Sequence, residues 1–347
     1  MKRFFTENFK LIFFLLIGLF ILWYVTKGQN LERIAEEFIN ANYFWIILSM
    51  GISLLSHFVR ALRWKILING LNYNPPVSKV FYALMTGYLT NMVLPRVGEV
   101  SRCVALGKSN KMPINMLFGT VIAERLLDTA CMFSILFIVI ILQFSLLNEY
   151  LMDYMYLPLK AMLANNYLLI VLLLAACGAL FFVIYYFFRH KIIKGKLGKL
   201  FTKGKSHLHG IKTGILAVKQ MKNKVLFAFY TLLMWGLYLM MIFVTFYALE
   251  STSHLGISAA LTILALGSLG VAVPVPAGIG TYHFIVITSL VELFYIGAEP
   301  ATSFAYITHA SQMLVVIIFG GFAWFKLAMK KSQVTYSRVM EENIKSN

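Results

Sequence analysis

The chain has 347 residues, of which 60% are apolar and only 13% charged, with a net charge of +17 and a mean hydropathy of +0.77. Soluble domains carry about a quarter charged residues, so this polypeptide cannot cover itself with a polar shell. A soluble enzyme, a nucleic-acid-binding domain and a disordered chain are excluded together, and what remains is an all-α polytopic integral membrane protein.

In chain order, Lys2 and Arg3 precede an apolar run over 9–25 that is long for the core of a signal peptide and is followed by no small-residue cleavage site. It reads as a retained first span. A helix needs about 20 apolar residues to cross the hydrocarbon, and six segments meet or approach that length. They are 9–26, 43–62, 120–145, 166–188, 225–248 and 303–327. Lys and Arg are concentrated before the first span, after the second, in the tail 328–347 and in the stretch 189–224, which holds eleven of them and no acid. The connections 27–42, 148–165 and 249–256 are poor in Lys and Arg and hold six of the fourteen acids. The positive-inside rule then predicts a multi-pass protein of the bacterial cytoplasmic (inner) membrane with both termini cytoplasmic. The basic stretch, with leucines and isoleucines interleaved, suits a cytoplasmic loop attracted to anionic lipid.

Two apolar segments do not fit as ordinary spans. Residues 79–94 are short, end at Pro95 and have basic flanks on both sides, so they should enter from the cytoplasm and turn back. Residues 257–296 are interrupted by Pro274, Pro276, Gly278 and Gly280, which cannot continue a helix, and their flanks look external. A full hairpin crossing of 257–273 and 280–296 is the alternative. Each half reads span, span, broken segment, span, which divides a single membrane domain into inverted repeats over 9–150 and 160–327. Such repeats place unwound backbone and a substrate site near the midplane.

The polar residues at these places are the candidate site. Arg96, Glu99 and Arg102 would share one face of a helix starting after Pro95, while Glu124, Arg125 and Asp128 sit at the mouth of the third span. Three positive and three negative groups sum to zero, so one reading is a structural ion-pair network. The other is that an arginine keeps donors for a phosphate-bearing head group, since guanidinium binds phosphate in bidentate fashion. Charges at membrane depth tend to face a polar cavity. Arg60, Arg63 and Trp64 read either as a snorkelling interfacial anchor or as a collar contacting lipid head groups. Pro274, Pro276, Gly278 and Gly280 free backbone groups next to His283, which is either a hydrogen-bonded structural residue or a ligand for a head group or a proton. Glu292 and His309 are weaker candidates. Cys103, Cys131 and Cys177 lie far apart and match neither a disulfide framework nor a metal site. No nucleotide, metal or nucleophile motif occurs, so neither enzyme chemistry nor a cofactor is predicted.

Arg60, Arg63 and Trp64, then Asn91, Leu94, Pro95, Arg96, Gly98, Glu99 and Arg102, then Glu124, Arg125 and Asp128, then Pro274, Pro276, Gly278, Ile279 and Gly280 occur in that order. Together they resemble the transmembrane, flippase-like region of the lysylphosphatidylglycerol synthases over about residues 10–330. The resemblance implies an ATP-independent membrane domain that moves lipid between leaflets. In full-length synthases a cytoplasmic domain follows and makes the aminoacylated lipid; here about 20 residues follow the last span, so that catalysis is not expected. The family pattern of Pro-Gly-Gly and an acidic residue is replaced by Pro276, Ala277, Gly278 and His283. This departure bears on the substrate and leaves the architecture intact.

The expectation is a translocase for an anionic or zwitterionic amphiphile, with membrane lipid, anionic phospholipid above all, as its partner. A membrane-embedded transferase or hydrolase using Glu99 or Asp128 as base is one alternative. An accessory subunit beside a lipid-biosynthetic enzyme is the other.

Overall fold

The computed structural model describes residues 2–144, 213–214 and 216–346, with side chains described from Phe13 to Phe144, at Thr213, Gly214 and from Leu216 to Met329. All regular structure among these residues is helical. The predicted span 166–188, the join between the halves and most of the basic stretch 189–224 lie outside the described residues.

Helix α1 (Lys2–Thr26) is followed, after a bend of 94°, by α2 (Leu31–Ile39). Asn30 caps α2 by accepting from the amides of Glu32 and Arg33. Helix α3 (Tyr43–Asn69) has 27 residues and continues past the predicted end at residue 62. Next come α4 (Val77–Val93), started by Pro76 and stopped just before Pro95, and α5 (Gly98–Asn110). Helix α6 (Ile114–Leu142), of 29 residues, begins earlier than the apolar pattern indicates. Beyond the undescribed segment lie α7 (Lys224–Phe246), α8 (Ile257–Ala272), α9 (Thr281–Phe294) and α10 (Ala298–Ser346). Helix α10 is apolar enough to span over Ala298–Met329.

Among the described residues α3, α6, α7, the stretch Pro276–Phe294 that ends in α9, and the first part of α10 are long and apolar enough to cross a membrane, and α1 with α2 forms a bent pair that passes the same test. Helices α4, α5, α8 and α9 are each shorter and come as two hairpins. At 1.5 Å per residue, α4 and α5 reach about 26 and 20 Å and α8 and α9 about 24 and 21 Å, less than the roughly 30 Å of hydrocarbon. In the first hairpin the Lys79 ammonium donates to Asn110 Oδ1 at 3.0 Å at the open end, and Ser101 Oγ donates to Thr90 Oγ1 at 3.1 Å near the turn. In the second, Thr281 Oγ1 donates to the Gly270 carbonyl at 2.8 Å, and Gly267 faces Tyr282 and Val286. Residues 257–296 therefore form a broken hairpin.

The hairpins enter from opposite ends of the bundle. The connections 27–42 and 247–256 and the start of α10 gather at one end: the Asn42 amide donates to the Ala248 carbonyl at 2.8 Å, and Glu37, Glu250 and Glu299 line one pocket. Gln143, at the close of α6, donates to Ser258 Oγ at 2.8 Å at the same end. The second hairpin opens there. At the other end Gly70 lies against Ala217 and Met221, and the first hairpin opens on that side. The two turns meet beside α10 near His309, Gln312 and Val316, inside its spanning part. Gly18, within α1, passes so close to Gly280 that a Cβ there would collide with the Gly18 carbonyl.

A larger apolar cluster packs α8, α9 and α10 around Phe246, Ile263, Val286, Leu290 and Phe304. A second holds α3, α4, α5 and α6 together through Trp64, Leu84, Leu106 and Leu117. Large apolar side chains remain exposed along α1, α6 and α10, among them Phe20, Phe133, Phe137, Ile318 and Phe322, as suits helices facing lipid tails.

Candidate functional site

Between the hairpin turns lies a cavity of about 570 Å³, walled by Pro95, Arg96 and Glu99 from the first turn and Val273, Pro274 and Gly278 from the second. Arg60, Tyr88, Arg125, Asp128 and Tyr238 complete its polar side. A second, more apolar chamber of about 350 Å³ shares Arg60, Tyr88, Asn91, Tyr238, Ser268, Val271 and Ala277 with it. That chamber continues toward His57, Ile263, Leu264, Tyr282, His309 and Met313.

The charges form a layered network. Glu124, fully buried on α6, lies 2.8 Å from Arg60 Nε, 3.1 Å from Arg63 Nη2 and 3.0 Å from Arg102 Nη2. Asp128, one turn further on, lies 2.8 Å from Arg60 Nη2 and 2.7 Å from Arg63 Nη1. The i, i+4 spacing of Glu124 and Asp128 sets both carboxylates against α3, whose i, i+3 arginines answer them. Aromatic rings back the guanidiniums: Arg102 stands 4.6 Å from the Trp64 ring centroid, Arg63 5.7 Å from Phe227 and Arg60 5.8 Å from Tyr88. Trp64 is itself fixed by donating to Thr120 Oγ1 at 3.0 Å.

This corrects the interfacial-anchor reading of Arg60, Arg63 and Trp64, and the head-group reading of the last two. None of the three is an interfacial anchor, and Arg63 and Trp64 are not a head-group collar: both are wholly buried, because α3 continues past them and α6 supplies two carboxylates at the same level, whereas Arg60 reaches the wall of the cavity. The predicted common face of Arg96, Glu99 and Arg102 is also corrected. Helix α5 begins at Gly98, and Arg96 sits in the turn before it with φ 65°. Its Nη2 reaches the carbonyl of Ala272, at the second turn, at 3.4 Å. Asn91 closes the first turn by accepting from the Gly98 amide at 2.6 Å, and its Nδ2 donates to Glu99 Oε2 at 3.4 Å.

Arg125, half-buried, differs from the buried Arg60, Arg63 and Arg102. It lines the cavity, and among the described residues its guanidinium has no hydrogen-bond or ion-pair partner. With Arg60 and Arg63 added, five guanidiniums (Arg60, Arg63, Arg96, Arg102 and Arg125) face three carboxylates (Glu99, Glu124 and Asp128). Among the described residues the cluster is cationic by two charges, where the sequence grouping gave zero.

The second turn is built from backbone. Ala277, Gly278 and Gly280 have φ of 53°, 75° and 85°, and Pro276 and Gly278 are buried. Pro274 and Gly278 reach the larger cavity, whereas Pro276 and Gly280 turn away from it, Gly280 toward α1. His283 is buried and does not line either chamber; its Nδ1 lies 3.4 Å from the Gly280 amide nitrogen and its ring stands 4.7 Å from that of His309. His309 Nε2 lies 2.9 Å from the Ala277 carbonyl, so that nitrogen carries the proton. The two histidines hold the turn. Glu292, on α9, lies outside both chambers.

The model of the family described as the lysylphosphatidylglycerol synthase TM region matches residues 11–320. The chain belongs to that family. Similar proteins are the UPF0104 membrane protein MJ1595 of Methanocaldococcus jannaschii and the UPF0104 membrane protein PH1989 of Pyrococcus horikoshii. The first is 30% identical over 129 residues, covering 36% of this chain and 38% of the relative. The second is 26% identical over 118 residues, covering 33% of this chain and 35% of the relative. The matched stretch thus spans little more than a third of either relative. No solved structure matches the chain.

Proposed function

We propose that this family member is an ATP-independent lipid translocase of the cytoplasmic membrane, with both termini on the cytoplasmic side, that passes an amphiphile with an anionic head group between leaflets. The observation that carries this reading is the cavity shared by two hairpin turns from opposite ends, with the unpartnered Arg125 and the turn residue Arg96 on its wall. A guanidinium with free donors at membrane depth is costly, and a phosphate-bearing head group would compensate it. The adjoining apolar chamber supplies a surface for the start of the lipid tails. Membership of a family named for the membrane region of a lipid synthase agrees with a lipid cargo.

A catalytic role fits the site less well. Asp128 is held by two arginines and Glu124 by three, so neither presents a free base, and Glu99 is engaged by Asn91.

The test uses proteoliposomes with fluorescent phospholipids and a membrane-impermeant quencher. Wild-type protein should expose inner-leaflet anionic lipid to the quencher, and Arg96→Ala and Arg125→Ala should slow this by about tenfold or more, the scale of one charge-assisted contact. Wild-type vesicles that behave like protein-free ones would remove the proposal.

A further inference from the structure

We infer that the lipid this site accepts carries a terminal phosphate monoester, a dianion, in preference to a phosphate diester. The inference rests on the translocase reading and specifies its cargo. Its basis is the charge balance of the cluster, in which Arg60, Arg63, Arg102 and Glu124 are buried and Arg125 and Asp128 half-buried. Arg60, Arg63, Arg102 and Arg125 face Glu124 and Asp128, an excess of two positive charges. Adding the partly exposed Arg96 and Glu99 leaves that excess unchanged.

Buried charge is tolerated where it is matched, and arginine cannot shed its proton to relieve a mismatch. A phosphate monoester carries between 1.5 and 2 negative charges near neutral pH, about the cluster's excess, and presents three terminal oxygens. A diester carries one charge and leaves a guanidinium uncompensated. The geometry already shows how such an anion would be held: Asp128 bridges Arg60 and Arg63 with one oxygen on each, at 2.8 and 2.7 Å. Arg60, Arg125 and Asp128 all reach the cavity wall, so a phosphate beside Asp128 meets two guanidiniums, one of them without a partner. The larger chamber has room for a hydrated phosphate, and the second gives the first methylenes of the chain an apolar wall at Leu264 and Val271.

The decisive comparison is phosphatidic acid against phosphatidylmethanol with identical acyl chains, which differ by one methyl group and one charge. Binding to the full-length protein is followed by native mass spectrometry and movement in proteoliposomes by the quenching assay. The expected result is that phosphatidic acid binds about tenfold more tightly and moves faster, and that Arg125→Gln abolishes the preference without lowering the melting temperature. Equal binding and movement of both lipids would overturn the monoester assignment and leave the translocase reading intact. Movement of neither would remove the translocase reading as well. Displacement of phosphatidic acid by an equal concentration of inorganic phosphate would assign the site to the free ion and overturn the lipid assignment. The wild-type comparison of the two lipids stands whether or not the variant folds.

Discussion

Glu124 has no exposed surface and gathers guanidiniums from α3 and α5 onto α6. Removing one partner from a buried ion network leaves the others uncompensated, which costs about 3–5 kcal/mol. Glu124→Ala should therefore lower thermal stability in detergent severely, whereas Asp128→Asn, whose side chain is 13% exposed, should cost less. A Glu124→Ala protein that melts with wild type would contradict the network. Much of this chemistry was legible: the charged residues at the first turn and the mouth of α6 were marked by their position beside a proline and an apolar run. Arg60 and Arg63 were misplaced because they stand at the end of an apolar stretch, where arginines ordinarily reach for the interface. A signal was present in their i, i+3 spacing, which matches the i, i+4 pair of Glu124 and Asp128 in sign and pitch. Nothing in the spacing of His283 and His309 announced that two rings 26 residues apart would meet to fasten the second turn.

At the level of elements, the hairpins depend on close backbone approach. A Cβ on Gly98 would collide with the Gly87 carbonyl and Asn91, while one on Gly236, in α7, meets nothing within 4 Å. Gly98→Ala should cost about 1–3 kcal/mol through overpacking, and Gly236→Ala should cost nothing measurable. Thermal unfolding of the two variants side by side checks this; equal effects would mean that α4 and α5 do not pack as described. Helix α2 offers a separate test. Burial, and then the neighbouring Glu250, push the Glu37 carboxyl above the usual carboxylate range. The folded chain therefore holds that proton more tightly than the unfolded chain, and stability gained as pH falls through the folded value is lost as pH rises. Glu37→Gln should raise the melting temperature at neutral pH, and the difference from wild type should shrink on acidification; a gain independent of pH would contradict the cause given. Both hairpin turns could be read from Pro95, Pro274 and Pro276, since proline and glycine stop helices wherever they fall. The extent of α5 could not, because its composition is polar and its burial comes from α4, α6 and the ion network rather than from its own apolar pattern.

The arrangement of the whole molecule follows from charge and length together. Basic and acidic connections separate the two ends of the bundle, and one segment too short to cross and one interrupted by proline and glycine, each flanked by like connections, predict two hairpins entering from opposite ends. The described residues show that opposition directly: Lys79 and Asn110 close one hairpin at the end where Gly70 meets Ala217, and Ser258 opens the other where Gln143 arrives. What sequence could not give was the meeting of the turns and the volume between them, because Arg96 and Ala272 are 176 residues apart and joined only by the packing of α4 and α8 around α10. The account depends on that meeting place being wet and cationic at membrane depth. The most direct test is chemical labelling of Ser268→Cys, at the wall shared by both chambers, in protein whose three native cysteines have been replaced. Leu232→Cys, 74% exposed on the apolar face of α7, is the control. An anionic, membrane-impermeant methanethiosulfonate should modify the cysteine at 268, anionic lipid should protect it, and the cysteine at 232 should stay unmodified in lipid. A cysteine at 268 that resists the reagent as fully as the lipid-facing control would contradict the account.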